Sequence, residues 1–354
     1  MKKILVTTGG TGGHVIPAEI ISEHLNTNYE IIFTTDLRGY KYLKSEKNKI
    51  KIVDTPKLNI NFFFPLKIIK LFYLTIHSIF YLKKEKINEV ISTGGYMSLP
   101  ICIAAKFIGL KIYLLEPNLT LGRANKFFLN FSKKIICYSN DLKNFPNKFK
   151  NKIEVIKPLV FKHFYEIKKK NDLNKKNFSL LIFGGSQGAN IFDTQINKAI
   201  VNINKEHPLK VAQQTSIENI ENLRDFYNLN KIENKIFSFE KNFANIIQQA
   251  DLCITRAGAS TLAELSVMNI PFIAVPLPKS KDNHQLENAN FYKDNQCCWI
   301  IEQDIFEEKI EELLKDILNN KSDYIKKKEN LEKLNYQNTW INVNQKILKI
   351  INEN

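Results

Sequence analysis

Paired cysteines are missing from this chain of 354 residues. Its five, Cys102, Cys137, Cys253, Cys297 and Cys298, are an odd number, show no CxxC spacing and sit mostly in apolar runs. Reduced core thiols look like this, so a disulfide framework and a zinc site are excluded. No group of His, Asp and Glu has metal-ligand spacing, and neither a metal nor a cofactor is expected. The opening MKKILVTTGGTGGH reaches glycine too soon to hold the apolar core of a signal peptide, which predicts a protein that stays in the cytoplasm. Acidic residues are also in short supply, 36 Asp+Glu against 51 Lys+Arg, for a formal charge of +15. That excess favours anionic partners: nucleic acid, phosphorylated metabolites or an acidic membrane surface. Because the basic residues are dispersed and no stacking or helix-turn-helix pattern is visible, no nucleic-acid partner is expected.

What is present is a globular composition, 44% hydrophobic and 25% charged, long enough at roughly 150 residues per domain for two domains. Ile4–Thr8 reads as a short strand that stops at Gly9, and Pro17–Leu25 as a helix. Further strands are predicted at 30–35, 89–93 and 111–115, the last two ending in Gly94-Gly95 and Glu116-Pro117-Asn118. Residues 161–177 are charged and poor in apolar side chains, as an interdomain linker is. The pattern then restarts with a strand at 179–183, the glycine loop 184–189 and a helix at 191–202. Strands at 209–213, 236–239, 252–255 and 272–275 follow, then helices at 306–319 and 340–351. This alternation predicts an α/β chain of two doubly wound, Rossmann-like domains, 1–160 and 178–335, with residues 336–354 a C-terminal helix returning to the first.

One segment, Phe62–Leu82, approaches a bilayer span in length but carries Pro65, Lys67, Lys70 and His77. The expectation is a helix lying in the headgroup region, with Lys83, Lys84 and Lys86 just beyond it. The alternative is an ordinary core helix.

Gly9-Gly10-Thr11-Gly12-Gly13-His14 lies between a strand and a helix, where backbone N–H groups approach a phosphate. It is not a Walker A loop, and Val15 replaces the third glycine of GxGxxG. Asp36, at the end of the second strand, keeps a nicotinamide-dinucleotide reading open as the runner-up. His14 is the titratable group of the loop and can take a proton near neutral pH. Gly184–Gly188 offers a second anion site, and two such loops suit two phosphorylated substrates. Arg256-Ala257-Gly258-Ala259-Ser260-Thr261 opens a helix with Glu264 one turn in, an arrangement that fits a diphosphate and a ribose; a Glu264–Arg256 ion pair is the structural alternative. Asp282, Asn283, His284, Gln285 and Asn288 supply polar groups for a sugar.

Together with Gly94-Gly95-Tyr96, Ser98, Pro100, Glu116-Pro117-Asn118, Gly122, Asn125 and Gly184–Ala189, these blocks resemble, in order and over nearly the whole chain, the MurG-type N-acetylglucosaminyltransferases of peptidoglycan synthesis. The resemblance implies a GT-B fold whose two domains face a central cleft. It implies transfer of GlcNAc from UDP-GlcNAc to the C4 hydroxyl of MurNAc in undecaprenyl-pyrophosphoryl-MurNAc-pentapeptide, with inversion and without a metal. It places the enzyme peripherally on the cytoplasmic face of the inner membrane. Thr11, Gly12, Gly13, Asn118, Ser186, Gln187, Ala259, Ser260, Thr261, Glu264, His284 and Gln285 are then the UDP-GlcNAc contacts. Gly10, His14, Gly94, Gly95 and Tyr96 lie toward the acceptor, with His14 the candidate base. The chain departs from the family at Ile156-Lys157-Pro158-Leu159-Val160, where Val160 replaces an arginine and Lys157 or Lys162 is left as a substitute. Glu116-Pro117-Asn118 stands for Glu-Gln-Asn. A degenerate non-catalytic remnant is the non-enzymatic alternative.

Overall fold

The computed structural model describes residues 1–353 except 44–48, 58–60, 168–176, 186–189, 241 and 279. The chain divides into two compact units, Met1–Lys162 with Thr339–Asn354, and His163–Asn338.

The first unit holds a seven-stranded parallel sheet of β1 (Lys3–Thr7), β2 (Glu30–Thr35), β3 (Lys49–Ile52), β4 (Glu89–Ser92), β5 (Lys111–Glu116), β6 (Lys134–Cys137) and β7 (Ile153–Val155), in the order β3-β2-β1-β4-β5-β6-β7. Alternate side chains enter opposite cores. Ile4 and Val6 meet Ile20, Ile21 and the C-terminal residues Ile347 and Ile350, while Leu5 meets Leu82, Ile101 and Ala105. Helices cover both faces, which is why these strands read as continuous apolar runs. The second unit repeats the design with β8 (Phe178–Phe183), β9 (Leu209–Gln214), β10 (Glu233–Phe237), β11 (Leu252–Thr255), β12 (Phe272–Ala274) and β13 (Cys298–Ile300), ordered β10-β9-β8-β11-β12-β13. Strand order reverses between β1 and β4 and again between β8 and β11, and in open parallel sheets ligands bind at such points, beyond the carboxyl ends of the strands.

Several boundaries differ from the sequence reading. The first helix is Gly12–Leu25, so it begins inside the glycine loop and runs through Pro17, which cannot donate to the Gly13 carbonyl one turn back. The predicted helix at 191–202 is two, Asn190–Gln195 and Asn197–Glu206. Residues 236–239 contribute only their first half to β10. Strand β3, Lys-Ile-Lys-Ile at the sheet edge, has no apolar run to announce it. Inside the proposed linker, Lys162–Glu166 is helical, and 168–176 lie outside the described residues.

The helix Phe64–Lys84 joins β3 to β4. Both strands belong to one sheet, so this helix does not carry the chain across a bilayer. Nor is it a core helix, for its amphipathicity is inverted. Thr75, Ser78 and Leu82 are buried, whereas Ile69, Phe72 and Phe80 are 64%, 66% and 70% exposed. The Thr75 and Ser78 hydroxyls donate back to the carbonyls of Leu71 and Leu74, so the buried polar groups are satisfied within the helix. The helix packs against Leu99–Phe107.

Candidate functional site

At the first switch point the loops after β1, β2 and β4 meet. Asp36 ends β2, is 3% exposed, and caps the short helix Leu37–Tyr40: its Oδ1 accepts the N–H groups of Gly39 and Gly10, each at 2.8 Å. A Cβ on Gly39 would lie 2.7 Å from the Gly9 Cα, so glycine is required for this approach. The other oxygen, Oδ2, accepts from Arg38 Nε at 3.2 Å, and Arg38 Nη2 donates to the Tyr96 hydroxyl. Asp36 therefore organises the loop, and a ribose-binding role at a dinucleotide site is overturned. The Gly10 N–H, expected to face an anion, is spent on that carboxylate. Thr11 and Gly13 are exposed and Gly12 is buried at the start of the helix.

The half-buried His14 ring lies beside the loop after β4. Its Nδ1 is 2.8 Å from the Thr93 carbonyl oxygen. A carbonyl can only accept, so Nδ1 carries the proton and Nε2 is the basic nitrogen of the neutral ring. A Cβ on Gly95, which sits at φ +80°, would be 3.9 Å from Nε2, placing that nitrogen against the Gly94-Gly95-Tyr96 turn. Thr93 is itself fixed by a hydrogen bond from its hydroxyl to Thr8 Oγ1. Burial raises the Tyr96 phenol above its usual pKa, with Arg38 opposing the rise.

Behind this turn is a carboxylate cage. Buried Glu116 accepts from Asn118 N and Nδ2 (both 3.2 Å), Gly122 N (2.8 Å) and Asn125 Nδ2 (3.0 Å). Burial raises the Glu116 pKa and the four N–H donors oppose the rise. Asn118 is thereby tied to the end of β5, and Asn125 packs against Gly94.

In the second unit the helix Ala259–Val267 starts just past β11 with Gly258 as N-cap; Ala259, Ser260 and Thr261 form its first turn and half-buried Glu264 its second. Arg256, 8% exposed, donates to the carbonyls of Val275 (3.1 Å) and Pro276 (3.4 Å) and to Gln303 Oε1 (2.6 Å), and stacks 5.5 Å from the Phe192 ring centroid. Gln303 was not legible as its partner; it lies beyond β13, a strand the sequence did not announce. Asn288, expected to face a sugar, instead donates to the Ala257 carbonyl and joins the helix His284–Asp294 to the β11 loop. Gln285 accepts from Leu277 N at 2.9 Å; with His284 it opens that helix. After β8, Gly184 N donates to Gln214 Oε1. Ser186 and Gln187 lie outside the described residues. Val160 is fully buried and Lys157 has its pKa lowered by burial. Among the described residues no three of His, Cys, Asp and Glu are grouped as metal ligands.

The glycosyltransferase family 28 N-terminal domain model matches residues 4–137 and the C-terminal domain model residues 179–339. The chain is 48% identical over 357 residues to a UDP-N-acetylglucosamine–N-acetylmuramyl-(pentapeptide) pyrophosphoryl-undecaprenol N-acetylglucosamine transferase of Pelagibacter ubique, covering 100% of this chain and 99% of that one. Its counterpart from Rickettsia bellii is 36% identical, with 90% and 92% covered. In fold it resembles the crystal structure of Acinetobacter baumannii MurG (TM-score 0.79, 24% identity, 99% and 100% covered). A UDP-GlcNAc 2-epimerase from Neisseria meningitidis bound to UDP-GlcNAc shares the fold more distantly (TM-score 0.68, 13% identity, 99% and 100% covered). The chain belongs to glycosyltransferase family 28 and, within it, to the MurG-type N-acetylglucosaminyltransferases.

Proposed function

We propose that this chain transfers GlcNAc from UDP-GlcNAc to the C4 hydroxyl of MurNAc in undecaprenyl-pyrophosphoryl-MurNAc-pentapeptide, in a single inverting displacement with His14 as base. The observation that carries the mechanism is the His14–Thr93 contact, which leaves Nε2 as the proton acceptor. Nε2 takes the hydroxyl proton as the C4 oxygen bonds to C1 of GlcNAc, and the bond from C1 to the UDP oxygen breaks. Charge on the departing diphosphate is met by helix N-termini and loop amides. In this reading the second unit holds the donor: Ala259, Ser260 and Thr261 at the diphosphate, Glu264 at the ribose hydroxyls, His284 and Gln285 at the sugar, with Ser186 and Gln187 beside them. Thr11, Gly12, Gly13 and Asn118 complete the donor contacts from the first unit. Gly10 supports the loop from behind, while Gly94, Gly95 and Tyr96 face the acceptor. The runner-up oxidoreductase loses its ribose acid to the Asp36 cap.

The acceptor is tethered to a lipid, so the enzyme docks on the anionic cytoplasmic face of the membrane. Support comes from the exposed side of Phe64–Lys84, where Leu66, Ile68, Ile69, Phe72, Tyr73 and Phe80 face outward among Lys67, Lys70, Lys83 and Lys84. Each lysine near an anionic surface adds about 1 kcal/mol at low salt. Replacing those four lysines with Glu should abolish flotation with anionic liposomes; unchanged flotation would place docking elsewhere.

The test of the function is incubation with UDP-[14C]GlcNAc and the acceptor lipid. Label should move to the lipid phase; label left entirely on nucleotide would favour the remnant.

A further inference from the structure

We infer that Arg38 is an acceptor-binding residue whose guanidinium grips the diphosphate of the lipid-linked substrate. The inference rests on the proposed transfer reaction and adds to it a residue that no motif singled out. Arg38 is held along one edge only. Nε donates to Asp36 Oδ2 at 3.2 Å, Nη2 donates to the Tyr96 hydroxyl, and the guanidinium carbon is 5.5 Å from the Tyr96 ring centroid. Nη1 makes no hydrogen bond among the described residues, and the side chain is 46% exposed. An exposed arginine normally samples many rotamers; this one has its orientation set by two partners, so little ordering remains to be done when a ligand arrives.

Electrostatics gives the second argument. The Gly94-Gly95-Tyr96 turn proposed to meet the acceptor lies against the Gly9-Gly10 loop and so near a buried carboxylate, Asp36, that has taken the Gly10 and Gly39 N–H groups. Asp36 thus puts a negative charge beside the turn and removes one backbone donor from the adjoining glycine loop. Without a nearby cation an incoming diphosphate would be repelled. Arg38 offsets that charge and offers Nη1, with the second hydrogen of Nη2, as a planar fork of the kind that matches two phosphate oxygens. Its connection to Tyr96 places the fork next to the turn that touches His14. A lone surface ion pair has no such geometry and contributes little.

The test compares the full-length enzyme with Arg38→Gln and Arg38→Lys in steady-state transfer. Arg38→Gln should raise the acceptor KM about 10- to 100-fold, the size of one charge-assisted contact, while the UDP-GlcNAc KM stays within about 3-fold. Arg38→Lys should recover part of the loss. Inorganic pyrophosphate, used as an inhibitor competing with the acceptor, should weaken by a similar factor in Arg38→Gln. An unchanged acceptor KM overturns the inference, as does an equal rise in both KM values, or a kcat loss with pyrophosphate inhibition intact, which would make Arg38 a brace for the loop. If Arg38→Gln does not fold, as judged by its melting curve, Arg38→Lys alone decides by the same ratio. Wild-type enzyme that transfers nothing would defeat the transfer reading itself, an outcome distinct from all of these.

Discussion

In the first unit a buried carboxylate, Asp36, holds the N–H groups of Gly10 and Gly39; in the second a buried guanidinium, Arg256, holds the carbonyls of Val275 and Pro276. Both braces stand at the carboxyl ends of strands beside a topological switch point, yet they are opposite in sign. A carboxylate can fix a loop only by consuming donors and leaving negative charge behind, whereas a guanidinium consumes acceptors and leaves positive charge. The partners of Arg256 are two carbonyls, an amide and a ring, none of them anionic. On the proposed reading its charge is therefore left for the donor diphosphate. In the first unit Arg38 must supply that charge. On the proposed reading the labour divides: proton transfer and acceptor handling lie in the first unit, and most of the nucleotide contacts in the second.

The largest expected effect comes from His14→Ala. A positioned general base contributes ~10² to 10⁴ in rate, so turnover should fall by about that factor while UDP affinity changes only a few-fold. A comparable loss of UDP affinity would break the division between the units. The mirror experiment is Glu264→Ala. Losing two charge-assisted hydrogen bonds to the ribose should weaken UDP binding by roughly 2 to 4 kcal/mol, and calorimetry giving an unchanged affinity would remove Glu264 from the site.

The braces can be compared directly by chemical denaturation. Asp36→Ala leaves two N–H groups without an acceptor and should cost about 2 to 4 kcal/mol. Arg256→Met strands only carbonyls, which tolerate it better, and relieves a buried charge, so its cost should be smaller. The reverse order would mean that sign is not what distinguishes them.

A smaller effect separates the units by pH. His24 is fully buried, stacks on Trp340 at 3.6 Å, and has neither ring nitrogen hydrogen-bonded. Burial pushes its pKa down to about 3. Because the folded pKa lies below the unfolded value of 6.5, the unfolded chain binds the proton more readily between these values. Stability is complete above about pH 6.5 and is lost as pH falls toward 3, by about 2 kcal/mol or more. Acid should therefore loosen the C-terminal helix Trp340–Asn352 from the rest of the first unit, and His24→Phe should flatten that limb of the melting-temperature profile. An unaltered profile would show that other groups control it.

Much of this architecture was legible from local pattern. The apolar strands β1, β2, β4, β5, β8 and β11 and the glycine pairs after β1, β4 and β8 mark both switch points, because strand burial on two faces and tight turns leave composition signals. The edge strand Lys49–Ile52 left none, since its inner face is made of lysines, Lys51 lying over the Tyr81 ring and Lys49 paired with Glu85, in place of an apolar run. The braces were illegible for a different reason: Asp36 reaches Gly10 across 26 residues and Arg38 reaches Tyr96 across 58, distances that only the sheet order closes. Likewise the segment Phe62–Leu82 was apolar nearly all round, and only packing distinguishes the satisfied Thr75 and Ser78 side from the exposed aromatic one.

A single displacement assisted by a base at His14 is recorded in the configuration of the new glycosidic bond. UDP-GlcNAc carries its sugar in the α configuration, so one displacement must yield a β linkage to the MurNAc C4 oxygen. Proton NMR of the disaccharide released from the lipid product should show the large anomeric coupling of a β-GlcNAc residue. A small coupling, signifying retention and an α linkage, would contradict the account.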